Sequence, residues 1–170
     1  RVLPFGELAA SPLPVADAAR HWLGERGATL VTAIAALSLL PLLGAGDVVL
    51  LEGEIGAGKT HFARGLIQSL VSEDVPSPTF TLVQTYLAPE FEIWHADLYR
   101  LSHPDEAIEL GLTEAFESAL CLVEWPDKLG SDRPKTALTL RFLTHNEGRK
   151  VQFLSDNEAW AERLREIENV

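Results

Sequence analysis

The stretch "GEIGAGKT", residues 53–60, carries the residue types that most directly indicate chemistry in this chain. It contains Gly53, four further residues, and then Gly58, Lys59 and Thr60. Glycines let backbone N–H groups approach a phosphate closely, while the lysine reaches the β- and γ-phosphates and the threonine hydroxyl binds Mg²⁺. The spacing therefore predicts a nucleotide site, because a purely structural glycine turn would leave Lys59 without a role.

The segments on either side of this loop are the ones that would position it. Residues 47–52 predict a β-strand, and residues 59–72 predict an amphipathic helix, because Phe62 and Leu66 begin an apolar stripe at helical spacing. A helix that begins at the loop directs the positive end of its dipole towards a bound phosphate. Strand, loop and helix together are the context that a phosphate site requires.

A Mg²⁺ site beside such a loop needs a carboxylate at the end of a neighbouring strand. Glu124 follows "ALCLV", a near-continuous apolar run typical of a strand buried on both faces, and Asp97 follows the more alternating "FEIWHA". A solvated strand end or a helix cap is the alternative for each. We predict that Glu124 is the closer metal ligand and that Asp97 acts from further away or on the attacking water.

Three other side chains favour structural roles. His95 has no second His or Cys at ligand spacing, so we interpret it as a packed or surface residue and predict no transition-metal site. Cys121 is the only cysteine, which excludes an internal disulfide, and its apolar surroundings predict a buried, inert thiol. Trp125 is expected to pack at the sheet edge, and stacking on a nucleotide or a partner is the alternative.

Length and charge limit the class of protein. The chain has 170 residues, enough for one domain with a core, and a net charge of −11. A protein that binds nucleic acid through its phosphates usually has a basic face, so we do not expect this chain to hold RNA or DNA alone. Any nucleic-acid substrate would be held by a partner.

The N-terminal part of the chain gives weaker signals. Residues 1–26 are Pro-rich and irregular and receive no assignment, so the predicted P-loop domain covers residues 27–170. Residues 27–46 carry no charge and approach the length of a membrane span. Pro41 and several small or polar residues dilute this segment, and we predict a buried helix over roughly 29–42 and no membrane association.

The remaining patterns predict two hairpins, two short helices and a terminal helix. The hairpins cover 80–99 and 136–154, the short helices 103–112 and 113–120, and an amphipathic helix with Trp160, Leu164 and Ile167 on one face ends the chain. The predicted fold class is α/β: a single three-layer, P-loop NTPase-like domain with a mixed parallel and antiparallel sheet and helices on both faces.

Four segments in this order, "GEIGAGKTHFARG", "SPTFTLVQTY", "HADLYRL" and "LVEWPDKL", closely resemble the bacterial TsaE (YjeE) family over roughly residues 29–150. The family consists of small P-loop ATPases required for the threonylcarbamoyladenosine (t6A) modification of tRNA. The resemblance implies a cytoplasmic protein that binds ATP and Mg²⁺ and works with TsaD and TsaB. TsaD transfers the threonylcarbamoyl group, and tRNA is reached only through these partners.

The resemblance also implies roles for individual residues. Lys59 and Asp97 would act in catalysis, and Thr60 and Glu124 would hold Mg²⁺. The phosphate loop would contribute further nucleotide contacts from Gly53, Gly56, Ala57, Gly58 and His61. Thr79 and Thr81 would belong to a switch-like loop, Arg149 would be a basic position near the nucleotide, and Thr29, with Thr32, would lie on the adenine side. Where the family usually has Asp, Leu and a second Thr, this chain has Glu54, Ile55 and His61, which leave the phosphate-binding pattern intact.

Two other classes of protein use the same loop. A small-molecule or nucleoside kinase usually carries an arginine-rich lid, whereas Arg133, Arg141 and Arg149 look scattered along a hairpin region. A nucleotide-dependent binding module without turnover needs the same loop as an ATPase. Because no arginine cluster is visible, we expect weak ATP hydrolysis by the isolated chain and activation by partners.

Overall fold

A computed structural model of the chain describes residues 39–78, 80–145 and 148–168, with side chains except at 144–145, 148–149 and 166–168. The strands within these ranges are β1 Val48–Glu52, β2 Val83–Leu87, β3 Glu92–Asp97, β4 Leu120–Glu124, β5 Leu138–His145 and β6 Gly148–Leu154. The α-helices are α1 Lys59–Leu70, α2 Asp105–Glu109, α3 Leu112–Ser118 and α4 Glu158–Glu168.

The strands form one mixed sheet in the order β2-β3-β4-β1-β5-β6. The four inner strands are parallel, while β2 and β6 pair antiparallel with their hairpin partners β3 and β5. The carboxyl ends of β3, β4 and β1 therefore lie side by side, and Asp97 pairs in register with Glu124. This edge is where an open α/β sheet binds its ligands.

Helices cover both faces of the sheet. On one face, Phe62, Leu66 and Ile67 of α1 and Trp160 of α4 join a buried apolar cluster. On the other face, α2 and α3 contribute Ala107, Leu112 and Ala115 to a second buried cluster. The expected α/β fold with three layers and a mixed sheet is confirmed.

Some element bounds differ from the prediction for local reasons. Most of the predicted helix 29–42 lies outside the described residues, and Leu40–Leu42 form a 3₁₀ turn that contains Pro41, which has no backbone N–H to donate. The strand predicted from residue 80 begins at Val83, because Leu82 adopts a positive φ of 66° within a turn. No helix within the described ranges combines the length and the apolar character needed to cross a bilayer.

Candidate nucleotide and magnesium site

The glycine-rich loop connects β1 to α1 at the carboxyl edge of the sheet. Gly53 has φ +143°, and a Cβ there would lie 2.7 Å from the backbone oxygen of Phe142 in β5. No side chain fits in that space, so the loop can turn against β5 only with glycine at this position. Gly58, with φ +105°, is the residue from which α1 begins.

The first turn of α1 presents backbone donors to the loop. Its N-cap is Gly58, which has no side chain to accept from those N–H groups, and no acidic side chain lies in the first turn. The N-terminal N–H groups of a helix have no partners inside the helix, and the helix dipole favours an anion beside them. The arrangement suits a phosphate group, as the sequence pattern predicts.

Lys59 is folded back onto the loop that precedes it. Its Nζ donates to the carbonyl oxygens of Gly53 at 2.6 Å and Glu54 at 2.9 Å, and lies 3.9 Å from the centre of the Trp125 ring. Burial lowers the pKa of Lys59, and the charges of nearby acidic groups, Glu124 first, oppose that shift. The ammonium group is thus buried beside the loop, and its hydrogen bonds go to backbone carbonyl oxygens of the loop.

Glu124 connects β4 to the first turn of α1. Its carboxylate is buried, and Oε2 accepts a 2.7 Å hydrogen bond from the hydroxyl of Thr60. The second oxygen, Oε1, lies 2.9 Å from Nε2 of His95 in β3. All five residues of β4 are buried, as predicted from the apolar run, and this central strand fixes Glu124 beside the phosphate loop.

Asp97 lies one strand away from Glu124 and is also buried. Its Oδ1 accepts from the backbone N–H of Tyr99 at 3.1 Å, which ends β3 in a turn. Both carboxylates therefore lie at one edge of the sheet. Glu124 is the one that accepts the hydrogen bond from Thr60. The geometry is consistent with a closer metal position for Glu124.

The donor set at this edge fits a hard divalent cation. While Thr60 donates its proton to Glu124, the hydroxyl oxygen keeps lone pairs that can accept a metal, and hydroxyl and carboxylate oxygens suit Mg²⁺. No group of three or more His, Cys, Asp or Glu side chains within the described ranges can enclose a metal by itself. Mg²⁺ commonly takes its remaining ligands from phosphate and water, so the small protein contribution is compatible with it.

Aromatic and apolar side chains surround the site. Trp125, with φ +60°, packs on Tyr99 at 5.0 Å between ring centres and lies beneath the Lys59 ammonium group. Its predicted position at the sheet edge is confirmed. Ile55 of the phosphate loop is 74% exposed, and Phe80 is 88% exposed, so both present a large apolar side chain to solvent.

Two arginines that look scattered in the sequence converge in the structure. Arg133 Nη2 donates to Oε1 of Glu52 at 2.6 Å, and Arg141 Nε donates to Oε2 at 2.9 Å. Burial raises the pKa of Glu52, but the two guanidinium groups outweigh that effect, and the net shift is downward. The interpretation of these arginines as scattered was wrong, because both bind the carboxylate of Glu52, the last residue of β1. They are held at the sheet by this contact and do not form a kinase-like lid.

Several predicted contacts are not located. Thr29, Thr32 and Thr79 lie outside the described residues, and so does the side chain of Arg149 in β6. Thr81 and His61 have exposed side chains. The described part of the site therefore consists of the phosphate loop, Thr60, Glu124 and Asp97.

His95 and Cys121 are both buried, but the predicted structural role describes Cys121 more completely than His95. Cys121 is buried, and burial raises the pKa of its thiol to about 12, which confirms an inert cysteine. His95 is fully buried, which agrees with the prediction of a packed residue and not with a surface position. Its contact with Glu124 was not predicted. The two residues are 29 positions apart, and only the pairing of β3 with β4 brings them together.

Comparisons with known proteins agree with this geometry. The model of the family described as threonylcarbamoyl adenosine biosynthesis protein TsaE matches residues 28–151. A relative from Rickettsia typhi, named tRNA threonylcarbamoyladenosine biosynthesis protein TsaE, is 39% identical over 118 residues, which are 65% of this chain and 82% of that protein. The crystal structure of YdiB from Bacillus subtilis has a TM-score of 0.69 and 26% identity, covering 83% of this chain and 89% of that one.

Coverage of other relatives is lower. The chain is 49% identical to the Rickettsia bellii relative and 51% identical to the Rickettsia conorii relative, in each case over 83 residues. It spans about half the length of these two relatives, 58% and 47% respectively. The family match nevertheless covers well over half of this chain and contains the phosphate loop, Asp97 and Glu124. The protein belongs to the TsaE family.

Proposed function

We propose that this protein binds ATP with Mg²⁺ and hydrolyses ATP in support of the threonylcarbamoyladenosine modification of tRNA. The observation that carries the proposal is the 2.7 Å hydrogen bond from Thr60 to Glu124, which joins the phosphate loop to a buried carboxylate at the sheet edge. Family membership and the names of the relatives support the tRNA-modification role.

Each residue of the site has a task in this proposal. The N–H groups at the start of α1 bind phosphate oxygens, and Lys59 leaves the carbonyls of Gly53 and Glu54 for the β- and γ-phosphates. Thr60 and Glu124 would hold the metal, and Asp97 would orient the attacking water. Bound Mg²⁺ would neutralise charge on the phosphates.

The proposal includes activation by the TsaD–TsaB pair. An arginine that stabilises the transferred phosphoryl group is worth about 10³–10⁵ in rate. Among the described residues, Arg133 and Arg141 are engaged with Glu52, and Arg100 Nη2 is held by the carbonyl of Phe80 at 2.7 Å. A partner can supply such a cation or reposition the loop that contains Phe80. The same engagement of arginines disfavours a kinase lid.

The test measures steady-state ATP hydrolysis by the isolated chain, with TsaD and TsaB, and with tRNA added. We expect slow hydrolysis alone, faster hydrolysis with the partners, and little tRNA binding without them, because the net charge is −11. Full activity in isolation, unchanged by the partners, would contradict the partner-dependent mechanism.

Lys59→Ala tests the phosphate site itself. Removing a positioned charge that stabilises the transition state typically costs about 10²–10³ in rate. Lys135→Ala is the matched control, since Lys135 is an exposed lysine away from the loop. Wild-type hydrolysis by Lys59→Ala in the complete assembly would reject the proposed site.

A further inference from the structure

His95 is a buried polar residue to which the proposed mechanism gives no task. It lies in β3, its side chain has no exposed surface, and its Nε2 is 2.9 Å from Oε1 of Glu124. The other oxygen of Glu124 is the one that accepts from Thr60. The two oxygens of a single carboxylate are therefore divided between the histidine and the phosphate-loop threonine.

The protonation pattern of the ring follows from these contacts. Opposite an ionised Glu124, Nε2 must carry a proton and donate it. The second nitrogen, Nδ1, is buried and has no hydrogen-bond partner among the described residues. Glu124 is thus the polar contact that the structure shows for the imidazole, and a packed aliphatic side chain would serve the apolar surroundings at least as well.

We propose that His95 is a positioning residue for Glu124. The inference rests on the proposed function, because it assumes that Glu124 helps to hold Mg²⁺. A carboxylate fixed only by Thr60 can rotate about its last side-chain bond, whereas a second hydrogen bond at Oε1 fixes its plane. The fixed carboxylate keeps Oε2 directed at the Thr60 hydroxyl, where the metal would bind. Partners that orient metal ligands in this way typically change metal affinity by about 10–100-fold.

The first test examines the ring in the nucleotide-free protein. Nitrogen-15 NMR of labelled histidine distinguishes a protonated Nε2 from a protonated Nδ1. We expect His95 to carry its proton on Nε2, and we expect its nitrogen shifts to move in Glu124→Gln. A proton on Nδ1, or shifts that Glu124→Gln leaves unchanged, would overturn the positioning role whatever the protein does with ATP.

The second test compares two replacements of His95. Glutamine can place an N–H near the position of Nε2, so His95→Gln should retain much of the orientation, whereas His95→Leu removes the donor. We expect His95→Leu to raise the Mg²⁺ concentration for half-maximal nucleotide binding about 10–100-fold. His95→Gln should recover most of that loss. Binding of ADP in the presence of EDTA should be similar in all three proteins.

Ile93→Val controls for disturbance of the strand, because Ile93 is fully buried on β3 two positions from His95 and on the same face. Thermal unfolding of each variant verifies that it is folded under the assay conditions. Equal Mg²⁺ requirements for His95→Leu and Ile93→Val would overturn the inference. If the wild type itself showed no Mg²⁺-dependent nucleotide binding, the proposed function would fail, and the NMR test would still decide whether His95 orients Glu124.

Discussion

Two glutamates end neighbouring strands of the same sheet, and each receives two side-chain contacts. Glu52 ends β1 and pairs with the guanidinium groups of Arg133 and Arg141, and its side chain is 21% exposed. Glu124 ends β4 and contacts Thr60 and His95, and its side chain is 2% exposed. The two residues share chemistry and position, and they differ in burial and in the charge of their partners.

The difference indicates why only one of the two suits a cation. Two fixed positive charges face Glu52, so its carboxylate can hold β1 to β5, and the group as a whole has no net negative charge to attract a cation. A hydroxyl donates to Glu124 and an imidazole contacts it, and neither carries the permanent charge of a guanidinium. A buried carboxylate without full compensation is costly, and a bound metal relieves that cost. We therefore propose a structural task for Glu52 and a cation-binding task for Glu124.

The largest expected effect is the difference in activity between variants that neutralise Glu124 and Glu52. Glu124→Gln should reduce Mg²⁺-dependent ATP hydrolysis in the complete assembly by at least about 100-fold. Loss of a residue that only hydrogen-bonds a metal ligand lowers activity by up to about 100-fold, and loss of the ligand itself should cost at least as much. Glu52→Gln should leave the rate nearly unchanged. Comparable losses in steady-state assays of the two variants would remove the functional distinction between these regions.

A second prediction concerns Gly53, which follows Glu52 and begins the phosphate loop. Gly53→Ala should destabilise the fold by roughly 1–3 kcal/mol, because a side chain at its positive φ is strained and would meet the Phe142 backbone at 2.7 Å. Gly65→Ala is the matched control: Gly65 lies within α1, an added Cβ meets nothing within 4 Å, and alanine should stabilise by about 0.5–1 kcal/mol. Urea unfolding of both variants gives the sign of each change. A neutral effect of Gly53→Ala would show that the loop does not need this close approach.

The third prediction separates the two carboxylates at the nucleotide edge. Glu124 accepts a hydrogen bond from Thr60, the other proposed metal ligand, so Glu124→Gln should raise the Mg²⁺ requirement more than Asp97→Asn does. We expect the Mg²⁺ concentrations for half-maximal activity of the two variants to differ by about 10-fold, which is within the range by which residues around a metal change its affinity. A Mg²⁺ titration of ATP hydrolysis measures both, and the reverse order would exchange their roles.

The local parts of this site could be predicted from the sequence. Residues 53–60 specify the loop through glycines that permit positive φ, and the apolar run before Glu124 identifies a central strand. These features depend on neighbours within a few positions, so pattern and composition are sufficient. The same holds for both hairpins, whose strands are close in the chain.

The contacts that set the electrostatics could not be predicted in this way. Arg133 and Arg141 are 81 and 89 positions from Glu52, and they meet it only because β5 pairs with β1. His95 reaches Glu124 for the same kind of reason, through pairing of β3 with β4. An isolated histidine or arginine in a sequence has many possible environments, and the order of strands selects one of them.

The smallest expected effect tests the structural task of Glu52. Its paired guanidinium groups lower its pKa against the opposing effect of burial, so the folded state favours the ionised form more than the unfolded chain does. Such a group stabilises the fold above its unfolded pKa, about 4.3 for glutamate, and the contribution disappears as pH falls through the lower folded pKa. Glu52→Gln should therefore be less stable than the wild type at pH 7, and the gap should close below about pH 4.

The expected gap is modest because both arginines are partly exposed. Their side chains are 37% and 47% exposed, and partly exposed pairs contribute roughly 0.2–1 kcal/mol each. The difference in urea unfolding free energy should be roughly 1 kcal/mol at pH 7, and it should shrink in 1 M salt, where the Debye length is about 3 Å. Glu90→Gln, at an exposed glutamate between β2 and β3, controls for the loss of one charge from an acidic protein. A gap that persisted unchanged at low pH would mean that packing of Glu52, and not its charge, holds β1 to β5.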